Sequence, residues 1–139
     1  MPKPLENIRI VDIGRYVAGP YCATLLGALG ADVIRVERPD GGEDRFISPL
    51  SFDDNGQPGE GGLIYQTGWG KKSLSLNLSD ERGREILRKL VDTADIVVAN
   101  LPPVALQRLG LEWETVSRRC PEIILVTQTG FGDTGPDSI

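Results

Sequence analysis

Residues 77–108, NLSDERGREILRKLVDTADIVVANLPPVALQR, contain the pattern that decides the fold. Ser79 is predicted to cap a helix that runs to about Thr93, because acidic residues follow it and apolar residues then recur at helical spacing. The apolar run at residues 96–99 predicts a buried strand over residues 95–99, which is followed by Asn100 at a turn. A helix that leads into a buried strand is typical of α/β proteins.

The N-terminal part of the chain shows the same alternation. Residues 8–13 and 33–37 predict buried strands, and the helix between them is expected to have Pro20 at its first position and Gly30 at its end. Crossovers of this length join parallel neighbours. We therefore predict an α/β fold, a Rossmann-like open parallel sheet with helices on both faces.

Shorter patterns complete this prediction. Alternating leucines predict a strand at residues 74–78, and an apolar run predicts another at residues 123–128. Short helices are expected at residues 104–109 and 112–119. Residues 39–62 are rich in glycine, proline and acidic side chains, and a connection of this length predicts a functional or mobile loop.

Composition limits the function. The chain has 139 residues, 40% hydrophobic residues and a formal net charge of -5, which fit one globular domain and disfavour a nucleic-acid partner. There is no apolar run of about 18 residues and no signal-peptide pattern at the start. We therefore expect no membrane segment and a cytoplasmic location.

The reactive residue types narrow the chemistry. The chain has no histidine, which removes Ser-His and Cys-His catalysis and His-based metal binding from this chain. Cys22 and Cys120 lack the spacing of metal ligands, so we expect two reduced thiols and no metal site. A general base in this chain would be a carboxylate, a lysine or a tyrosine.

Candidate ligand-binding residues follow the predicted strands. The loop at residues 14–18, Arg38 and Asn100 each come after a predicted strand, and the carboxyl ends of parallel strands form one crevice. A dinucleotide is disfavoured because the loop lacks the GxGxxG fingerprint, although Glu37 lies where a ribose-binding acid would lie. Arg38 favours a phosphate-bearing ligand, since a guanidinium binds phosphate through paired hydrogen bonds.

Several ordered motifs resemble the family III CoA-transferases, the group that includes formyl-CoA transferase and carnitine CoA-transferase. These motifs are PLENI (4–8), VD (11–12), AGP (18–20), LGADVIRVE (29–37), GKKS (70–73), AD (94–95), Asn100, RLG (108–110) and GFGDTGP (130–136). The resemblance covers essentially the whole chain. It corresponds to the N-terminal portion of a much longer family member.

The resemblance implies a reaction that moves CoA between an acyl-CoA and a free carboxylic acid. The family's enzymes form anhydride and thioester intermediates on an aspartate that lies downstream of residues 130–136. The resemblance therefore places the nucleophile outside this chain and assigns no catalytic residue to it. Coenzyme A or acyl-CoA is implied as a substrate, and no covalently bound cofactor is implied.

The same resemblance leaves alternatives for the whole protein. A relative that racemises a 2-methylacyl-CoA and a non-catalytic fragment that binds CoA or dimerises are both open. Residues 1–139 are expected to form the N-terminal part of the CoA-binding large domain, with the C-terminal remainder and the small domain absent. Because family members form interlocked homodimers, the implied partner is a second copy of the full-length protein or a complementary C-terminal chain.

Position by position, the resemblance assigns CoA binding to a defined set of residues. These are Val17, Ala18, Arg38, Leu76, Asn77, Leu78, Ser79, Asn100, Leu101, Pro102 and Arg108. Formyl-CoA enzymes carry Gln in place of Val17 and Lys in place of Ser79. Because Val17 cannot donate a side-chain hydrogen bond to an oxalyl or formyl group, a larger acyl group is expected.

Structural roles compete with ligand binding for three of these residues. Asn100 could cap the turn that follows it, because Asn favours local backbone hydrogen bonds. Arg38 could be a solvated charge at the end of a strand. Arg108 could pair with Glu112 on the surface, a contact that contributes little to stability.

Two further pairs of charged residues are expected to play no part in the chemistry. Lys71 and Lys72 are expected to form a solvated strand edge, since lysines protect edges from association. Asp133 and Asp137 are carboxylates in a Gly/Pro turn, without an apolar shell that would shift their pKa values. We do not expect either aspartate to be the nucleophile.

Overall fold

A computed structural model describes residues 2–47, 49–132 and 134–136. The strands are β1 (Arg9–Asp12), β2 (Asp32–Glu37), β3 (Leu50–Phe52), β4 (Pro58–Gly61), β5 (Lys72–Ser75), β6 (Ile96–Ala99) and β7 (Ile124–Thr127). The helices are α1 (Ala18–Ala28), α2 (Gly62–Thr67), α3 (Glu81–Val91), α4 (Pro103–Leu109) and α5 (Trp113–Arg119), and a 3₁₀ helix covers Glu43–Phe46.

The main sheet has five parallel strands in the order β5-β2-β1-β6-β7. The chain first adds strands on one side of β1 and then returns to add β6 and β7 on the other side. The crevice outside the carboxyl ends of β1 and β6 is therefore a topological switch point, where open α/β sheets bind ligands. This arrangement confirms the predicted Rossmann-like open parallel sheet.

Helices cover both faces of this sheet, as predicted. On one face, α1 contributes Ala23 to a cluster with Ile10 and Val98. On the other face, α3 contributes Leu87 and α5 contributes Val116 to a larger cluster that also contains residues of β1, β2, β6 and α4. Successive residues of β1 and β6 point to opposite faces, and both faces are buried. This explains the continuous apolar runs of these strands.

The start of α1 differs from the prediction. The helix begins at Ala18, so Pro20 is its third residue and not its first. Proline is tolerated there because the first N–H groups of a helix have no intrahelical acceptor. Gly30 follows the helix with a φ of 110°, a conformation that favours glycine.

The cap of α3 was predicted one residue too early. Asp80, and not Ser79, is the N-cap residue, and its carboxylate accepts a hydrogen bond from the backbone N–H of Arg82 at 2.8 Å. Ser and Asp both favour this position. Because the two residues are adjacent and both are suitable, only the backbone geometry decides which of them is the N-cap residue.

Residues 39–62, predicted as a functional or mobile loop, contain secondary structure that the sequence did not reveal. This segment contains the 3₁₀ helix and an antiparallel hairpin of β3 and β4. The sequence signal was weak because β4 consists of Pro, Gly, Glu and Gly, which lack the alternation of a typical strand. Asp44 of the 3₁₀ helix is fully buried and accepts hydrogen bonds from Arg35 of β2 at 2.7 and 2.8 Å. The segment is therefore attached to the main sheet.

The helices and the cysteines can be compared with what the composition predicted. No helix among residues 2–47, 49–132 and 134–136 is long and apolar enough to cross a membrane. Cys22 and Cys120 are free thiols, as expected.

Candidate functional site

A cleft of about 890 Å³ lies at the carboxyl ends of the parallel strands. The loops after β1, β2, β5 and β6 form its walls together with residues of α3 and α4. Four arginines line it: Arg15, Arg38, Arg84 and Arg108. Such a concentration of guanidinium groups at strand ends favours an anionic ligand.

Arg38 is exposed and already has carboxylate partners. It donates to Asp40 at 2.7 and 3.0 Å and to Glu43 at 3.2 Å. Asp40 raises the pKa of Arg38, and Arg38 in turn lowers the pKa of Asp40. A phosphate in the cleft would therefore compete with two exposed carboxylates for this guanidinium.

Arg84 shapes the turn after β5. Its guanidinium donates to the carbonyl oxygens of Leu78 and Ser79 and to the carboxylate of Glu81 at 2.7 and 3.0 Å. These contacts stabilise the wall of the cleft on which Asn77 and Ser79 lie. Arg84 thus has a structural role in this cleft.

Arg108 lies in the last turn of α4 and is exposed. It makes no hydrogen bond or ion pair with any other residue that the structure describes, so the alternative that it pairs with Glu112 on the surface is wrong. Glu112 instead accepts a hydrogen bond from the hydroxyl of Thr115. The donors of Arg108 are available to a ligand.

Asn100 joins the ends of β6 and β1 across the switch point. Its Oδ1 accepts from the backbone N–H of Arg15 at 2.6 Å, and its Nδ2 donates to the backbone carbonyl of Arg15 at 2.7 Å. The alternative that Asn100 caps its own turn is therefore wrong. The side chain holds the loop that follows β1.

Lys71 is buried beneath this loop, which contradicts the expectation of a solvated strand edge. Its Nζ donates to Asp12 at 2.7 Å and to the carbonyl of Pro20 at 2.6 Å. Burial lowers the pKa of Lys71, and the charge of Asp12 opposes this effect. Lys72 is exposed, as expected.

Glu37, the candidate ribose-binding acid, is occupied by internal partners. Arg45 donates to both of its carboxylate oxygens at 2.6 and 2.7 Å, and the Ser73 hydroxyl donates at 2.6 Å. These contacts lower the pKa of Glu37 to about 2. A buried carboxylate with these partners is not available to a ribose, which removes the main support for a dinucleotide.

The sequence pattern that defines CoA-transferase family III matches residues 5–139. The chain belongs to CoA-transferase family III. This result confirms the resemblance inferred from the motifs.

Curated relatives and solved structures agree with this family. A succinyl-CoA:glutarate CoA-transferase of Mus musculus is 39% identical over 136 residues, which cover 98% of this chain and 30% of that protein. The beta subunit of a succinyl-CoA–L-malate CoA-transferase of Chloroflexus aurantiacus is 37% identical and is covered to 32%. The crystal structure of a CaiB/BaiF family protein from Brucella suis is similar with a TM-score of 0.89 and 34% identity, over 99% of this chain and 36% of that one. The chain thus spans about a third of the length of these relatives.

The structure brings together about half of the positions to which the family resemblance assigns CoA binding. The cleft is lined by Arg38, Asn77, Leu78, Ser79, Leu101 and Arg108. A neighbouring cleft of about 480 Å³ is lined by Asn100, Leu101 and Pro102 together with Phe131.

The remaining positions lie outside both clefts. Val17 and Ala18 are exposed at the start of α1, where the backbone N–H groups of a helix lack intrahelical acceptors. Leu76 is only 7% exposed and packs in the core, and its N–H donates to the carbonyl of Glu37.

Arg15 and Arg84 line this cleft, but neither was singled out from the sequence, although Arg15 lies in the predicted strand-end loop. Arg15 follows the first strand, so its position after a strand end was a usable signal. Arg84 lies inside a helix, where no local pattern distinguishes it from a solvated arginine. Asp133 and Asp137 lie outside the described residues, and among the described residues no group of carboxylates and thiols could hold a metal ion.

Proposed function

We propose that this chain forms the CoA-binding part of an enzyme that moves CoA between an acyl-CoA and a free carboxylic acid. The observation that carries this proposal is the arginine-lined cleft at the carboxyl ends of the strands, in which Arg108 has no partner among the described residues. The phosphate groups of CoA are the ligand that such a cleft suits, because guanidinium groups bind phosphate oxygens through charge-assisted hydrogen bonds.

Within this proposal, the cleft holds the phosphate-bearing half of CoA. Arg108 binds a phosphate directly, and Arg38 does so after releasing Asp40 and Glu43. Asn77 and Ser79 offer polar side chains on the wall after β5. The further positions proposed to contact CoA are Val17 and Ala18 through backbone N–H groups, and Leu76, Leu78, Asn100, Leu101 and Pro102 through the loops after β5 and β6.

The proposed substrates are suggested by the names of the relatives. The relatives described above are named as succinyl-CoA:glutarate and succinyl-CoA–L-malate CoA-transferases, and glutarate and L-malate are carboxylic acids. We propose a carboxylic acid of this kind as the acceptor for this protein. Val17 has no side-chain donor, which supports an acyl group larger than formyl. The aspartate nucleophile is proposed to lie outside residues 1–139.

The partner is proposed to supply the remaining part of the active site. Residues 1–139 would be the N-terminal part of the large domain, and the relatives have about two thirds of their length beyond the region that matches. One relative is named as an alpha subunit and another as a beta subunit. A complementary chain and an interlocked homodimer are both compatible with these names. The two free thiols support a location in the reducing cytoplasm.

The test is calorimetric titration of the 139-residue chain with CoA. We expect saturable binding, and we expect Arg108→Ala to weaken it about tenfold or more, since a hydrogen bond to a charged group contributes about 1.5–3 kcal/mol. Arg118→Ala is the matched control, because Arg118 is an exposed arginine on α5 outside the cleft.

Two outcomes contradict the proposal. One is the absence of CoA binding by a wild-type chain that circular dichroism shows to be folded. The other is equal affinity of the Arg108→Ala and Arg118→Ala variants, which would mean that CoA does not use the cleft.

A further inference from the structure

Arg15 is attached to the ends of two strands through a single nitrogen. Its Nη1 lies 3.0 Å from the carbonyl oxygen of Gly14 and 3.3 Å from those of Ile13 and Val36. Ile13 and Gly14 follow β1, and Val36 is in β2. The guanidinium therefore lies across the carboxyl ends of β1 and β2, on the floor of the cleft.

The other edge of this guanidinium has no partner. Nε and Nη2 of Arg15 make no hydrogen bond with any residue that the structure describes, and neither is among its buried unpaired nitrogens. Nε and Nη2 form a planar fork that matches two oxygens of one anionic group. In this structure, Arg45 holds Glu37 with that same fork, and Arg38 holds Asp40 with it.

The charges around the cleft separate its arginines into two kinds. Arg38 and Arg84 are neutralised by carboxylates, as described above. Arg15 and Arg108 have no carboxylate partner among the described residues. A ligand with several phosphate oxygens can bind these two without displacing an internal ion pair.

Asn100 holds the backbone of Arg15 on both sides of its Cα. It bonds the N–H and the carbonyl of Arg15 at 2.6 and 2.7 Å, and it comes from a different strand. These two hydrogen bonds fix the position of the Arg15 Cα relative to the sheet.

We propose that Arg15 binds a phosphate group of the ligand through Nε and Nη2, and that Asn100 acts as a positioning residue through the backbone of Arg15. The identity of the ligand as CoA rests on the proposed function. The inference changes the role of Asn100, which here affects the ligand through Arg15 and not by direct contact.

The first experiment compares CoA binding by wild type and Arg15→Lys. The Lys ammonium can still donate to the strand-end carbonyls, but it lacks the fork. We expect about tenfold weaker binding of CoA with an unchanged melting temperature, since the lost contacts are charge-assisted. Arg118→Lys, the same substitution outside the cleft, should bind CoA as wild type does.

A double-mutant cycle tests the role of Asn100. We expect Asn100→Ala to weaken CoA binding in the wild-type chain, and to change it by less than about twofold in the Arg15→Lys background, because residues that act through one contact are not additive. If the double variant loses affinity by the product of the two single-variant factors, Asn100 does not act through Arg15 and the positioning role is wrong. Equal affinity of wild type and Arg15→Lys would overturn the whole inference.

A second measurement needs no variant. Modification of arginines by phenylglyoxal, mapped by mass spectrometry, should be slowed at Arg15 by saturating CoA and unchanged at Arg118. Unchanged reactivity of Arg15 would overturn the inference even if the variants fail to fold. Absence of CoA binding by the folded wild-type chain would instead overturn the proposed function, and the inference with it.

Discussion

At the residue scale, Lys71 and Lys72 show how the environment separates two identical neighbours. The side chain of Lys71 is 2% exposed and pairs with the fully buried Asp12, whereas that of Lys72 is 70% exposed. Lys72 pairs with Asp32 at the rim of the sheet, and such exposed pairs contribute little to stability. A buried carboxylate that loses its cation is costly.

We expect Lys71→Met to lower the free energy of unfolding by about 3–5 kcal/mol, because the Asp12 carboxylate would stay buried without a counter-charge. Lys72→Met should change it by no more than about 0.5 kcal/mol. Urea denaturation followed by circular dichroism measures both values. Similar losses in the two variants would show that Lys71 is not buried.

Glu37 makes the stability depend on acid pH. Its pKa falls from an ordinary value of 4.5 to about 2 in the folded chain, mainly because Arg45 donates to it. The contribution is therefore fully present above about pH 4.5 and is lost as the pH falls towards about 2.

Between these pH values we expect the free energy of unfolding to fall more steeply for wild type than for Glu37→Gln, which cannot titrate there. The variant should be less stable at neutral pH, and the two curves should converge in acid. Urea denaturation at several pH values tests this, with the exposed Glu85→Gln as the control. Parallel curves would contradict the assignment.

At the element scale, the start of α3 contains both a helix-capping residue and a residue of the cleft wall. Asp80 caps the helix, while Ser79, its neighbour, faces the cleft. Both residue types favour an N-cap, so the sequence placed the helix start correctly only to within one residue.

Asp80→Ala is expected to cost about 1 kcal/mol of stability, because the N–H of Arg82 loses its acceptor. Ser79→Ala should cost less than about 0.5 kcal/mol. Thermal or urea unfolding distinguishes the two. A larger loss for Ser79→Ala would restore the capping role that the sequence predicted for it.

On the scale of the whole molecule, buried ion pairs attach the segment of the 3₁₀ helix and the hairpin to the main sheet. Asp44 accepts from Arg35 and also from the backbone N–H of Tyr16, which has a positive φ of 60°. Arg45 pairs with Glu37 of β2 and with Glu60 of β4. The segment and the sheet should therefore unfold as one cooperative unit.

Each tryptophan reports on one part of this unit. Trp69, between α2 and β5, lines a pocket with Arg45 and Glu60 of that segment, whereas Trp113 begins α5. The Trp113→Phe variant leaves only Trp69, and the Trp69→Phe variant leaves only Trp113. We expect the urea transitions measured by tryptophan fluorescence in these two variants to coincide. Addition of Asp44→Ala should move the Trp69 transition to lower urea than that of Trp113. Coincident transitions in this variant would mean that Asp44 does not couple the two parts.

The sequence by itself determined the parallel α/β architecture, the positions of the buried strands and the family. The architecture and the strand positions depend on apolar runs and local turn residues, which act over a few neighbouring positions. Arg38 and Asn100 could be placed at strand ends for the same reason. The family was recognised from the resemblance of its ordered motifs.

Only the tertiary structure decided which charged residues bind one another and which have donors left for a ligand. Lys71 is buried because residues far apart in the chain, Asp12 and Pro20, enclose it, and Asn100 holds Arg15 across a gap of 85 positions. The partner of a charge depends on distance in space and on burial, and neither is encoded by the residue type or its neighbours.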